Sequence, residues 1–141
     1  MDNVTVLRND FTIISRGNCS IVFAGVDDPY TGRDDLYKAL YGVPRNYFIV
    51  LIAHSPQIID KAKGKVNIIL SGHTHGGQIV IPFYGPVMVP LPREYRRYIS
   101  GPYVAGDTYM YVTRGIGTSI YPIRIFCPLE ITLIKLHSSR P

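Results

Sequence analysis

Residues Leu70 to Ile79 read LSGHTHGGQI, which sets two imidazoles, His73 and His75, on either side of Thr74 and between Gly72 and the pair Gly76-Gly77. Neutral imidazole nitrogens are good ligands for Zn, Fe and Mn, and two of them on one side make part of a metal site. In extended backbone, residues two apart point the same way, so the spacing predicts that His73 and His75 face a common centre while Thr74 points away. The glycines allow a sharp bend and bring main-chain atoms close to a ligand. Read singly, each histidine is more simply a polar loop residue; the case for a site comes from the elements that carry them.

NYFIVLIAH ends at His54 and KVNIILSGH ends at His73. Both are continuous apolar runs of the kind found in strands buried on both faces. Between them, SPQIIDKAKG predicts a short helix with Ser55 as N-cap, Pro56 at its first position and Gly64 beyond its end. Strand, helix and strand make a βαβ unit, whose parallel strands finish at one edge of the sheet. Ligands bind at that edge, so His54, His73 and His75 are predicted to converge there. His137, in the polar tail LHSSRP, reads as a solvated surface residue.

Around this unit, NVTVLRN, FTIIS and SIVFAGV predict an antiparallel meander, with RGNCS as one of its turns. DDPYTGRDDLYKALYGV predicts a helix with Leu36, Ala39 and Leu40 on one face and Gly42 as its stop. The stretch from Phe83 to Tyr109 is rich in Pro, Gly and Tyr and predicts a long irregular loop. Its Val87, Met88, Val89 and Leu91 beside Arg93, Arg96 and Arg97 could rest on a membrane or receive a lipid tail; equally, the loop could simply cover the sheet.

With 141 residues, 46% of them apolar and 18% charged, the chain suits one globular α/β domain. Its 15 basic and 10 acidic side chains give a formal charge of +5, which favours anionic ligands such as phosphate esters or lipid headgroups. The basic residues form no stripe and no reading motif, which argues against nucleic acid. Cys19 and Cys127 belong to no disulfide framework or C-x-x-C motif and read as buried thiols. No run reaches the ~18 apolar residues of a membrane span, and the amino terminus lacks a secretory layout. The expected location is therefore cytoplasmic or peripheral at a membrane.

AHSP, then SGHTHGGQ, then VTRGIGTS and a closing PLEITLIKL resemble the carboxyl-terminal half of the calcineurin-like metallophosphoesterases. The phrasing is similar to the bacterial and archaeal branch that includes phosphodiesterases acting on UDP-diacylglucosamine-like or phospholipid substrates. The resemblance implies half of a four-layer α/β/β/α sandwich with a mixed sheet, and a hydrolase that uses two divalent cations, Mn, Fe or Zn, on a phosphoester. It implies His54 and His73 as ligands of the second metal and His75 as a ligand of the first. It also makes Arg114, with Gly115, the candidate contact for substrate phosphate, since a guanidinium fork matches phosphate oxygens; a plain surface arginine at a turn is the other reading. Asp27-Asp28 resembles a segment beside the substrate groove, or serves as a helix cap.

The family's Asp-x-His, Gly-Asp-x-x-Asp and Gly-Asn-His-Asp/Glu blocks do not occur in the chain, and RGNCS has Cys19 where the catalytic histidine would stand. Residues 1–141 are thus expected to be a single partial domain, weak or inactive as an enzyme alone. MDNVTVLRND resembles the segment after the absent blocks. The expected partners are the missing half, or a second copy, against an uncovered sheet face. A non-catalytic metal-binding remnant of the same fold is the alternative.

Overall fold

The computed structural model describes residues 4–44 and 46–137. The start of MDNVTVLRND, Met1 to Asn3, and the end of LHSSRP, Ser138 to Pro141, lie outside the described residues. The chain forms an α/β fold on a mixed six-stranded sheet, as the alternating pattern implies. In chain order come β1 (Asp10–Arg16), β2 (Cys19–Gly25), α1 (Leu36–Ala39), β3 (Phe48–Ala53), α2 (Ile59–Ala62) and β4 (Ile68–Ser71). A two-stranded ribbon of β5 (Val80–Ile81) and β6 (Gly85–Pro86) follows, then β7 (Gly101–Ala105) and β8 (Thr108–Val112). The sheet order is β1-β2-β3-β4-β8-β7. β2, β3, β4 and β8 run parallel, and an antiparallel strand closes each edge.

The βαβ unit forms as the sequence requires. Val50 pairs with Ile68 and Ala53 with Ser71, in parallel. The crossover opens with a 3-10 turn at Pro56–Ile58, where the Ser55 side chain accepts from the Gln57 N–H. It continues directly into α2, which buries Ile59 and Ala62. Thr108 closes the far end: its buried hydroxyl donates to Val66 O at 2.7 Å and accepts from Gly64 N at 2.9 Å. Two loop backbone groups beside the core are satisfied there without a helix or ladder.

Several expectations are corrected. The three-stranded meander is a hairpin of β1 and β2, turned at Gly17-Asn18, where Gly17 takes φ 58°. Val4 to Asn9 make no strand because they find no ladder partner. Instead Asn9 bends to φ 51° and binds a later loop, its Oδ1 accepting from Asp27 N and Asp35 N and its Nδ2 donating to Arg33 O. The long helix shrinks to the single turn α1, capped by Asp35, because the preceding DDPYTGRD adopts Asp-capped turns. Leu36 and Ala39 are nonetheless buried as its periodicity predicts. The irregular loop from Phe83 to Tyr109 contains β6, a 3-10 turn at Arg93–Tyr95, β7 and the start of β8. Of the two thiols, Cys127 is buried but Cys19 is exposed at the hairpin turn.

The two faces of the sheet differ. Ala24, Leu51, Ile69 and Met110 lie side by side in register and pack with Ile58, Ile59, Ala62 and Tyr98 in one core. Fully burying an aliphatic side chain of this size contributes about 1.5–3 kcal/mol, so this face holds the domain together. On the opposite face Phe48, Ile52, Tyr109 and Val104 are exposed, Ile52 by 46% and Tyr109 by 62%. β3 is therefore only partly buried on this second face, where Val50 is covered but Phe48 and Ile52 are not. The closing segment PLEITLIKL joins no strand, and its Leu129, Ile131 and Leu133 are exposed as well. Among the described residues no helix is long and apolar enough to cross a membrane.

Candidate functional site

The four parallel strands deliver their following residues to one edge. After β2 come Asp28 and Tyr30, after β3 His54, after β4 His73 and His75, and after β8 Arg114 and Gly115. Backbone bonds extend the ladder past the strand ends: Gly72 N donates to His54 O at 3.1 Å and Thr113 N to Ser71 O at 2.8 Å. The backbone at the end of β3, β4 and β8 is thus held by the extended ladder.

His54 and His73 are brought together. Their ring centroids lie 4.7 Å apart with planes at 62°. Tyr30 also packs against His73, centroid to centroid 4.5 Å. His73 Nε2 lies 2.8 Å from Pro90 O. A carbonyl can only accept, so Nε2 carries the hydrogen and Nδ1 keeps its lone pair. Burial lowers the His73 pKa below the ordinary histidine value, and the neighbouring His54 lowers it further, against opposing contributions from Pro90 O and Asp28. The neutral, ligand-competent ring is thereby favoured at neutral pH. For Asp28, burial acts to raise the pKa, yet hydrogen bonds from Tyr30 and Thr31 and the charge of His54 bring it below the usual value. An anionic carboxylate therefore sits near the two rings.

His75 follows a different course from the extended one expected. His73 takes φ 69° and His75 φ 51°, with Thr74 between them in the right-handed region. Left-handed backbone at a non-glycine residue is costly, of order 1–3 kcal/mol, and clusters at functional sites. Thr74 does point away, as expected: its buried hydroxyl donates to Ile99 O at 2.6 Å and accepts from Gly76 N. The His75 ring reaches Gly117 O through Nδ1 at 3.2 Å, leaving Nε2 with the lone pair. Gly76, at φ 64°, admits no side chain, since a Cβ would lie 2.5 Å from Arg114 Cγ and 2.7 Å from Cys127 Sγ. Among the described residues no group of three or more His, Cys, Asp or Glu side chains is placed to hold one metal ion. His54 and His73 thus form a ring pair, while the left-handed turn sets the His75 ring against the Gly117 carbonyl.

Arg114 and Gly115 lie against this turn. The Arg114 Nε donates to Glu130 Oε2 at 2.7 Å. Glu130 also accepts through Oε1 from Tyr111, at 2.8 Å, and from Thr132, at 2.7 Å. No local pattern signals this hub, since Glu130 and Tyr111 become neighbours only when the tail returns beside β8. Arg124 and Gln78 were likewise missed: Gln78 binds Tyr121 O and Ser119 N, and Arg124 binds three carbonyls of the neighbouring turns. His137 is exposed, as its polar context implies.

Glu130 yields a pH dependence. Burial would raise its pKa, but hydrogen bonds from Thr132, Arg114 and Tyr111 prevail and depress it from 4.5 to about 2. A depressed carboxylate stabilises the folded state above its unfolded pKa, and that contribution is lost as pH falls through the folded value. Urea unfolding should therefore show stability falling between pH 4.5 and about 2. In Glu130→Gln this component should be missing, leaving a lower stability at pH 7 and a flatter acid limb.

The chain is similar to curated proteins over nearly all its length. It is 39% identical over 137 residues to the metallophosphoesterase YkuE of Bacillus subtilis, covering 96% of this chain and 47% of YkuE. It is 32% identical over 134 residues to phosphodiesterase YaeI of Escherichia coli, covering 94% of this chain and 47% of YaeI. A metallophosphoesterase of Aquifex aeolicus is 33% identical over 137 residues, 93% of this chain and 50% of that protein. The chain thus spans about half the length of these relatives. No family model matches it. No solved structure matches it either. In sequence, the chain is related over almost its whole length to a part of proteins named metallophosphoesterases.

Proposed function

We propose that the chain is the histidine-bearing part of a metal-dependent phosphoester hydrolase of the calcineurin-like kind, corresponding to its carboxyl-terminal half. The observation that carries this reading is the His54–His73 ring pair, 4.7 Å apart at the carboxyl edge of two parallel strands. The similarity to YkuE and to phosphodiesterase YaeI supports it.

The residues present fit a divalent cation in part. The carbonyls of Pro90 and Gly117 fix His73 and His75 as the tautomers whose other nitrogen is free to ligate, the usual arrangement around metal-bound histidine. Imidazole donors suit Mn, Fe or Zn. The donors still required, carboxylates above all, would come from the remainder of a complete domain. When bound, two such cations would supply polarisation of the phosphoryl oxygens and an acidified water. The chain's own residues hold the neutral rings at the sheet edge, while Gly115 lets backbone approach the substrate beside them. Arg114 stands next to the His75 turn with its Nε bonded to Glu130, which fixes the plane of its guanidinium for a substrate phosphate. A lipid-linked phosphodiester is the narrower substrate reading. The exposed Phe83, Tyr84, Val87 and Met88 with Arg96 support peripheral membrane contact by the same molecule.

Metal content and hydrolysis test this reading. The purified chain should take up Zn or Mn, with uptake falling at least tenfold in His54→Ala and His73→Ala, and should hydrolyse bis-p-nitrophenyl phosphate slowly or not at all. Binding without turnover that persists even beside the complementary half would favour the non-catalytic remnant. No uptake by the unmodified chain would contradict the metal reading altogether.

The apolar sheet face carrying Phe48, Ile52, Tyr109 and Val104 is the surface for the complementary half or, without it, a second copy. Contiguous exposed apolar patches of this sort mark association surfaces. Sedimentation velocity should show concentration-dependent association, reduced by Ile52→Lys or Tyr109→Lys. A monodisperse monomer at tens of micromolar (order of magnitude) would contradict this assignment.

A further inference from the structure

Among the described residues, the His75 ring is held by a single acceptor, the Gly117 carbonyl. That carbonyl is itself held by Arg124, which donates to it from Nη2 at 2.6 Å and from Nε at 3.0 Å. The same guanidinium donates from Nη2 to Arg114 O at 2.7 Å and from Nη1 to His75 O at 3.3 Å. Three carbonyls from two separate glycine-containing turns are thus gathered on one planar fork. Such a fork holds its donors in a fixed relation that the single ammonium of lysine cannot reproduce. A carbonyl oxygen has two lone pairs. The oxygen held by Arg124 is the one that also lies 3.2 Å from His75 Nδ1, where it accepts from the ring.

We infer that Arg124 is a positioning residue: through the Gly117 carbonyl it fixes the His75 imidazole as the Nδ1–H tautomer, so that Nε2 is the nitrogen presented to a cation. What Nε2 then meets rests on the metal reading above. The tautomer itself is a property of the metal-free chain. Arg124 acts through hydrogen-bond geometry, so retaining its charge as lysine does not preserve its role.

Long-range proton–nitrogen correlation spectra of the 15N-labelled, metal-free chain at about pH 8, where an ordinary histidine is neutral, report the ring tautomer directly. In the unmodified chain His75 should be the Nδ1–H form. In Arg124→Lys and Arg124→Gln it should become a mixture, with circular dichroism on the same samples showing the retained fold. An Nε2–H or mixed ring in the unmodified chain overturns the inference, and this outcome needs no variant to fold. A folded Arg124→Lys with an unchanged His75 tautomer overturns it too. An intact Nδ1–H ring that Arg124→Lys disturbs, in a chain that takes up no zinc, supports the inference while contradicting the metal reading.

Discussion

The parallel register of β3 on β4 is the constraint from which the candidate site follows. Pairing Ala53 with Ser71 fixes where both strands end, and the bond from Gly72 N to His54 O carries the register one step further. His54 and His73 therefore emerge side by side. A slip of one residue would turn the apolar set of each strand to the opposite face, so burial of Leu51 and Ile69 locks the register that sets the rings. The core and the edge are thus one arrangement seen from two sides.

The turn after β4 runs against local preference. His73, His75 and Gln78 all take positive φ, and Gly76 admits neither a side chain nor an ordinary backbone angle. What holds the turn is a set of acceptors and donors distant in sequence: Ile99 O for Thr74, Pro90 O for His73, Gly117 O for His75, and Arg124 and Cys127 on the main chain of His75. Strain of this kind persists where the surroundings over-determine it. Here the surroundings come from the loop before β7 and the tail beyond β8, which is why these otherwise irregular segments matter.

Much of this was legible in the sequence, for identifiable reasons. The apolar runs ending at His54 and His73, with the Ser55-Pro56 cap between them, specified the βαβ unit and its edge. Local features decide such a unit. By contrast, Val4 to Asn9 have strand-like residues but no partner, and Asn9 is drawn instead to Asp27, Arg33 and Asp35. The Pro- and Tyr-rich stretch concealed β7, because Gly101-Pro102 and the short alternation to Ala105 are weak strand signals that only pairing with β8 makes definite. The left-handed course of His73 and His75 could not be read from the HTH spacing, since those angles are stabilised by tertiary bonds. Uniform apolarity in β3 suggested burial on both faces, whereas among the described residues the second face is covered at Val50 but not at Phe48 or Ile52.

X-ray absorption at the zinc edge, on the chain loaded with one equivalent of Zn, reads ligand type and distance at the His54–His73 edge together. If the His54–His73 edge is a metal-binding site, the spectrum should show imidazole scattering with Zn–N distances of about 2.0–2.1 Å, lost together in His54→Ala and His73→Ala. A shell of oxygen ligands alone, unchanged by either substitution, would mean that these two histidines hold no metal.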